Sequence, residues 1–243
     1  MSSFERRRTS FGGAADLYDT IRPSYPPEAV RWMLGEQPAR VADLGAGTGI
    51  FSRLVASLGH DVTAIEPDDG MRARFVAMSP EITALVGSGE AIPLADGSVD
   101  AVVAAQAFHW FDNDAARREI VRVLIPGGVF APIWNIRDES VPWVAELSTA
   151  AQLAGDGTSS DDYKSPDYDF GPLFYPAERA EFPHTSSHTT ETLLALVRSR
   201  SLYLIADEAD QRRMDEGVVS VTRELPETFE LPYVAVAYRA IAR

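Results

Sequence analysis

Cysteine is absent from the 243 residues, which removes disulfides, thiolate metal sites and cysteine nucleophiles from consideration without fixing a compartment. Histidine is scarce, four in all, and none stands with acids at metal-ligand spacing, so no metal is expected. Apolar runs long enough to cross a bilayer are missing, and the opening MSSFERRRTS has no apolar signal core. A cytoplasmic chain that meets no membrane is the expectation. Basic charge is also short: 22 Lys and Arg against 36 Asp and Glu give a formal net charge of -14. That sign opposes binding to a polyphosphate, so nucleic acid is not expected as a partner. The one basic cluster, Arg6, Arg7 and Arg8, is short and followed at once by turn residues, and reads as a solvated arm.

What the chain does have is alternation. With 45% apolar composition its length suits one α/β domain with a sizeable core and a modest insertion. Strand patterns fall at Arg40 to Leu44, Asp61 to Ile65, Thr83 to Val86, Ala101 to Ala105, Gly128 to Trp134, Arg179 to Phe182 and Phe229 to Ala242. Helical spacing fits Ala14 to Ile21, Pro26 to Gly35, Thr48 to Leu58, Gly70 to Met78, Ala115 to Leu124, Thr190 to Ser199 and Asp207 to Leu225. Such alternation predicts an α/β fold: a Rossmann-like, doubly wound, mostly parallel seven-stranded sheet with helices on both faces and ligands at the strands' carboxyl ends. A single domain is expected over 1–243. It would comprise an N-terminal arm and helical cap (1–37), a cofactor-binding core (38–136), a lid or insertion after the fifth strand (137–176) and the rest of the sheet (177–243). Within the lid, Ser140 to Leu153 fits a helix. The stretch GDGTSSDDYKSPDYDFGP reads equally as a disordered connection, although Tyr163, Tyr168, Phe170, Phe174 and Tyr175 argue for packing.

The segment VADLGAGTGIFSRL carries the most chemistry. An apolar strand (Val41, Ala42, Leu44) contains an acid, Asp43, and runs into a turn in which Gly45, Gly47 and Gly49 remove Cβ atoms that would block a close ligand, with Ala46 between them. A helix follows with its positive end and first amides toward the ligand. The second strand, DVTAIE, ends in Glu66, a carboxylate able to accept hydrogen bonds from both hydroxyls of a ribose. A dinucleotide site also pairs a glycine turn with a downstream acid, but the glycines here read GxGxG, and Asp43 can help fix the turn or meet an ammonium, which suits a methionine tail and not a phosphate. The motif points to S-adenosylmethionine.

With FGGAADLYDTIRPSYP, DLGAGTG, IEPDDGM, GSGEAIPLADGSVDAVVAAQAFHWF, LIPGGVF and WNIRDESVPW, the chain resembles the class I S-adenosylmethionine-dependent methyltransferases (methyltransferase type 11 domain), in particular the small-molecule group similar to the trans-aconitate methyltransferase-like proteins. The resemblance covers most of the sequence. It implies that adenine lies beside Pro67 and the loop of Gly87, Ser88, Gly89 and Glu90, with Met71 either lining that slot or packing its helix. It also implies that backbone near Gln106 meets the methionine ammonium, and that Tyr18 belongs to a cap over the cofactor.

Two readings stand for His109, which follows the fourth strand between Phe108 and Trp110. It is a general base, or it packs and shapes the pocket. Arg22 likewise holds a carboxylate or closes a structural ion pair. Arg22, Tyr25, Trp110, Arg137 and Trp143 are the candidate acceptor-binding residues, with Trp134 nearby. The function expected is methyl transfer to a small molecule, with O-methylation of a carboxylate ahead of a phenolic or polyketide-like acceptor. A noncatalytic cofactor-binding protein is the reading from another class. The partner is then a small-molecule substrate, and the chain a monomer or homodimer.

Overall fold

The structure, a computed structural model, describes residues 21–111, 113–151 and 168–243. Expectations for Arg6 to Arg8, Tyr18, Tyr163, most of the first helix and most of the 155–172 segment lie outside these residues.

The elements run α1 (Pro27–Leu34), β1 (Arg40–Leu44), α2 (Ile50–Ser57), β2 (Asp61–Ile65), α3 (Asp69–Met78), β3 (Thr83–Leu85) and β4 (Val99–Ala105). A 3-10 turn (Phe108–Trp110) leads to α4 (Asn113–Val123), β5 (Leu124–Arg137), α5 (Pro142–Ala150) and β6 (Glu178–His188). Then come α6 (Thr190–Arg198), α7 (Ser201–Ile205), α8 (Glu208–Thr222) and β7 (Phe229–Ile241). The strands form one seven-stranded sheet in the order β3-β2-β1-β4-β5-β7-β6. It is a mixed Rossmann-like sheet with helices on both faces. β1 is parallel to both β2 and β4, with Leu44 beside Ile65 and Asp43 beside Val103. The chain winds outward from β1 through β2 to β3, then returns to β4 on the other side of β1. The reversal between β1 and β4 is where a doubly wound sheet opens a crevice for ligands.

Local chemistry explains the elements. Val41, Ala42 and Leu44 of β1 and Val102, Val103 and Ala104 of β4 are buried, the continuous apolar reading of strands covered on both faces. α3 starts at Asp68, whose side chain accepts the Met71 amide at 2.8 Å. α6 opens with a reciprocal box between Thr189 and Thr192, and α5 carries proline in its first turn, where no donor is lost.

The chain divides into two compact units, with boundaries inside β5, β6 and β7. The larger unit, Ser24–Asn135, Asp162–Phe182 and Ala235–Arg243, has a core of Val30, Met33, Val41, Phe51, Val55, Phe75, Val103 and Ile133. Burying each large side chain there contributes roughly 1.5–3 kcal/mol. Phe170 and Phe174 are buried in the same unit against Phe130, the packing that the aromatic residues of that stretch predict. The smaller unit, Met1–Pro23, Ile136–Asp161 and Pro183–Val234, has its own core of Val144, Leu147, Leu193, Val197, Met214, Val218 and Leu231. α5, which falls in the stretch expected as a lid or insertion, packs into this core: Val144, Leu147 and Ala151 are wholly buried, and Trp143 sits edge-on to Phe229 at 5.7 Å.

Candidate functional site

All the residues expected at the cofactor and described here belong to the larger unit. The turn after β1 hangs from the end of β2, since the Gly45 and Ala46 amides both donate to the Ile65 carbonyl at 2.8 and 3.3 Å. The Glu66 carboxylate then reaches back across that turn. Its Oε2 accepts the Gly47 amide at 2.9 Å and its Oε1 accepts the Asp68 amide at 2.8 Å. Burial pushes the Glu66 carboxyl up, against the two amides that favour its charged form. Each oxygen keeps a lone pair in excess of its amide bond, so the acid can bind the turn and a diol together.

Two of the turn's glycines stand in their places for different reasons. A Cβ on Gly45, at φ +67°, would come 2.7 Å from the Ala107 Cβ, whereas on Gly47, at φ +58°, it would meet no atom within 4 Å. The segment 107–111 therefore occupies the approach to Gly45 itself, and only Gly47 faces open space. Helix α2 begins at Ile50, two residues later than its spacing predicts, with Gly49 as its left-handed cap.

Asp43 is fully buried. Its Oδ2 accepts the Ser52 hydroxyl at 2.5 Å, while Oδ1 has no hydrogen-bond partner. Burial, partly offset by Ser52 and reinforced by the nearby Glu66 charge, pushes its carboxyl up to about 7. A lone buried carboxylate oxygen suits a cationic donor. The sequence signal for Ser52 is its place beside Phe51 and Val55 on the buried face of α2.

Loop 88–91 is a tight turn in which Ser88 and Ala91 exchange backbone bonds. Gly89 lies against the Phe111 ring, where a Cβ would stand 2.6 Å away. Pro67 is exposed beside Glu66, Glu90 is half-buried, and Met71 is buried at the start of α3. At the end of β4, Gln106 holds φ +55°, the one non-glycine at positive φ among the described residues. It is fixed on both sides: its amide donates to the Ile133 carbonyl and its Nε2 to the Asn135 carbonyl, each at 2.9 Å. Asn135 in turn donates to the Ser24 carbonyl at 3.0 Å.

His109 and Trp110 follow in the 3-10 turn, their rings 4.7 Å apart. The indole Nε1 of buried Trp134 donates to His109 Nδ1 at 3.2 Å. Tyr25 packs in the core, edge-on to Phe51 at 5.0 Å. The other candidate acceptor residues, Arg22, Arg137 and Trp143, lie in the smaller unit. There Arg22 donates to the Ser199 carbonyl at 3.2 Å and Arg137 to the Ser148 hydroxyl at 3.1 Å. Among the described residues no cluster of three His, Asp or Glu could hold a metal ion, and no helix is long and apolar enough to cross a membrane.

A family model described as a methyltransferase domain matches residues 42–131, from β1 into β5. An uncharacterized methyltransferase of Mycobacterium tuberculosis is 40% identical over 240 residues, 95% of each chain. The chain belongs to the class I S-adenosylmethionine-dependent methyltransferases. A solved structure of a putative type II methyltransferase from Anaeromyxobacter dehalogenans is 25% identical, with a TM-score of 0.68 over 91% of this chain and 97% of its own. A malonyl-[acyl-carrier protein] O-methyltransferase of Methylococcus capsulatus is 38% identical over 133 residues, covering 50% of this chain and 48% of that one. S-adenosylmethionine is the cofactor of this methyltransferase. The residues present fit it: a Cβ on Gly47 would meet no atom within 4 Å, and each Glu66 oxygen has a lone pair beyond its amide bond that a diol could use.

Proposed function

We propose that the methyltransferase esterifies a carboxylate of a small organic acid, with Asp43, Gly47, Glu66 and the Gln106 backbone holding the cofactor. The observation that carries this reading is the hydrogen bond from Trp134 to His109. Indole nitrogen is a donor only, so Nδ1 of His109 must present its lone pair to it and the ring proton sits on Nε2. Taking up a proton at Nδ1 would set one N–H against another and strand a buried indole donor. His109 is thereby a fixed hydrogen-bond donor, unsuited to act as a base.

An acceptor that needs no base suits this site. S-adenosylmethionine supplies an electrophilic methyl group, and a carboxylate ionised at neutral pH has no proton to surrender before accepting it. The protein's part is to orient and to exclude water: His109 and Trp110 hold the acceptor's oxygen by Nε2–H and by an apolar wall. The name of the Methylococcus capsulatus relative, an O-methyltransferase of a malonyl group, is in keeping with an acid acceptor. A phenol or alcohol would require a base, and His109 held in this way does not supply one.

The test is transfer of a labelled methyl group from S-adenosylmethionine to a panel of small acids and phenols, followed by mild base. Label released as volatile methanol is expected; base-stable label on the turned-over acceptor would overturn the reading.

A further inference from the structure

We infer that Arg122, paired with Glu119, is a positioning residue for the cofactor: the pair holds the loop between β3 and β4 in the shape that receives the nucleoside. The inference rests on the proposed placement of the cofactor at Glu66, and its geometry lies wholly in the larger unit.

Every N–H of the Arg122 guanidinium is committed to this loop or to the acid that helps hold it. Nε and Nη2 donate to the two oxygens of Glu119, each at 2.7 Å. Nη2 also donates to the Ile92 carbonyl and Nη1 to the Leu94 carbonyl, both at 2.8 Å, and Nη1 reaches Asp96 Oδ1 at 2.7 Å. These bonds use all five donors that a guanidinium has. Glu119 Oε2 in turn accepts the Ile92 amide at 2.9 Å, so one ion pair grips both backbone polar groups of Ile92. The helix adds two anchors of its own, since the Arg122 and Val123 carbonyls accept the amides of Gly97 and Ser98, each at 2.9 Å.

The half of the loop held in this way packs against the half at the strand ends. Ile92 is buried and follows Ala91, which closes the 88–91 turn on Ser88. Pro93 returns to the loop's start, where a Cβ on Gly87 would stand 2.6 Å from its Cδ. The turn follows the carboxyl end of β3, which is parallel to β2, and the Glu66 amide donates to the Leu85 carbonyl at 3.1 Å. The Phe111 ring ties it to the glycine turn: Cβ atoms on Gly89 and Gly45 would come within 2.6 and 3.6 Å of that ring. With the ribose at Glu66 on β2 and the methionine end toward β1 and β4, the strand end left for the base is that of β3.

A loop of this length has many shapes open to it unless its backbone is held, and ordering it at association subtracts from affinity. The clamp does that ordering in advance. An exposed ion pair adds little to stability by itself, and Asp96 is 81% exposed, so the effect of the arrangement lies in the loop's shape. The hydrogen bond from Arg122 holds the Glu119 carboxyl below the usual carboxylate range, so the pair stays ionised at neutral pH. A lysine at this position would keep the charge but lose the planar fork, and could not span Glu119 and the oxygens of Ile92, Leu94 and Asp96 together.

The experiment is calorimetric titration of the full chain with S-adenosylhomocysteine, at a temperature where circular dichroism shows wild type and variants equally folded. Arg122→Lys and Glu119→Gln should each weaken binding by about tenfold, the scale of ordering a few side chains at association, with one ligand still bound per chain. A clamp that served only the fold would act differently, lowering the fraction of chains that bind and leaving the affinity of the rest unchanged. A loss carried by stoichiometry alone, or full affinity in Arg122→Lys, would overturn the inference; where Arg122→Lys does not fold, Glu119→Gln decides. Glu66→Ala, titrated beside them, separates the failures. Affinity lost there and kept in the clamp variants overturns the clamp alone, whereas affinity kept in all three overturns the placement on which it rests.

Discussion

Trp134 and His109, 3.2 Å apart from indole Nε1 to imidazole Nδ1, form a donor-acceptor pair that sets the tautomer of the histidine following β4. His109→Gln is the informative variant, since its amide oxygen can accept from Trp134 while its nitrogen donates where Nε2 did. It should keep activity within about tenfold. His109→Phe should lose about 10²–10³-fold, the scale of one lost transition-state donor, and stability as well, because Trp134 is left unpaired. Steady-state kinetics from pH 6 to 8 should show no limb belonging to His109; a limb that vanished in His109→Gln would restore it as a base.

Glu66 knits the turn through two amides, so its removal should weaken the cofactor twice over, through the proposed diol contact and through the turn's shape. Glu66→Ala is expected to weaken S-adenosylmethionine by about 10²-fold, from hydrogen bonds to a charged group at about 1.5–3 kcal/mol each. Calorimetry checks it, and unchanged affinity would mean that the ligand lies elsewhere.

Gly45→Ala and Gly47→Ala should separate. The first drives a methyl into Ala107 and should lower the melting temperature sharply. The second meets only the strain of its backbone, about 1 kcal/mol, and should melt within a few degrees of wild type while losing cofactor affinity by more than tenfold. Equal thermal loss in both would contradict the open approach at Gly47.

Asp43 gives the pH dependence. Its carboxyl, ordinarily near 4, is pushed to about 7 in the folded chain, so between those values the folded state holds a proton that the unfolded state has released. Stability from this group therefore falls as pH rises from about 4 to 7, and Glu66, also raised, acts in the same direction. Asp43→Asn should flatten the difference in melting temperature between pH 5 and pH 8 in the cofactor-free protein. An undiminished difference would show that Asp43 is not its source.

Much of this was legible from local pattern. The bounds of β1 and β2 follow from alternation, and Asp43, Gly47 and Glu66 are readable because turn and acids sit within one strand-helix-strand unit. What was not legible is long-range. Gly45 and Gly47 look alike in sequence, and only the return of Ala107 after β4 tells them apart. The partner of His109 is a strand away, on β5.

Gln106 has a consequence for how the cofactor arrives. A non-glycine held at φ +55° by Ile133 and Asn135 occupies a conformation that an unrestrained residue leaves. Both bonds are made by the chain alone, so the strain is met during folding and not at association. At the proposed cofactor site the end of β4 would thus act as a rigid jig, so that binding there would be docking onto a preset shape.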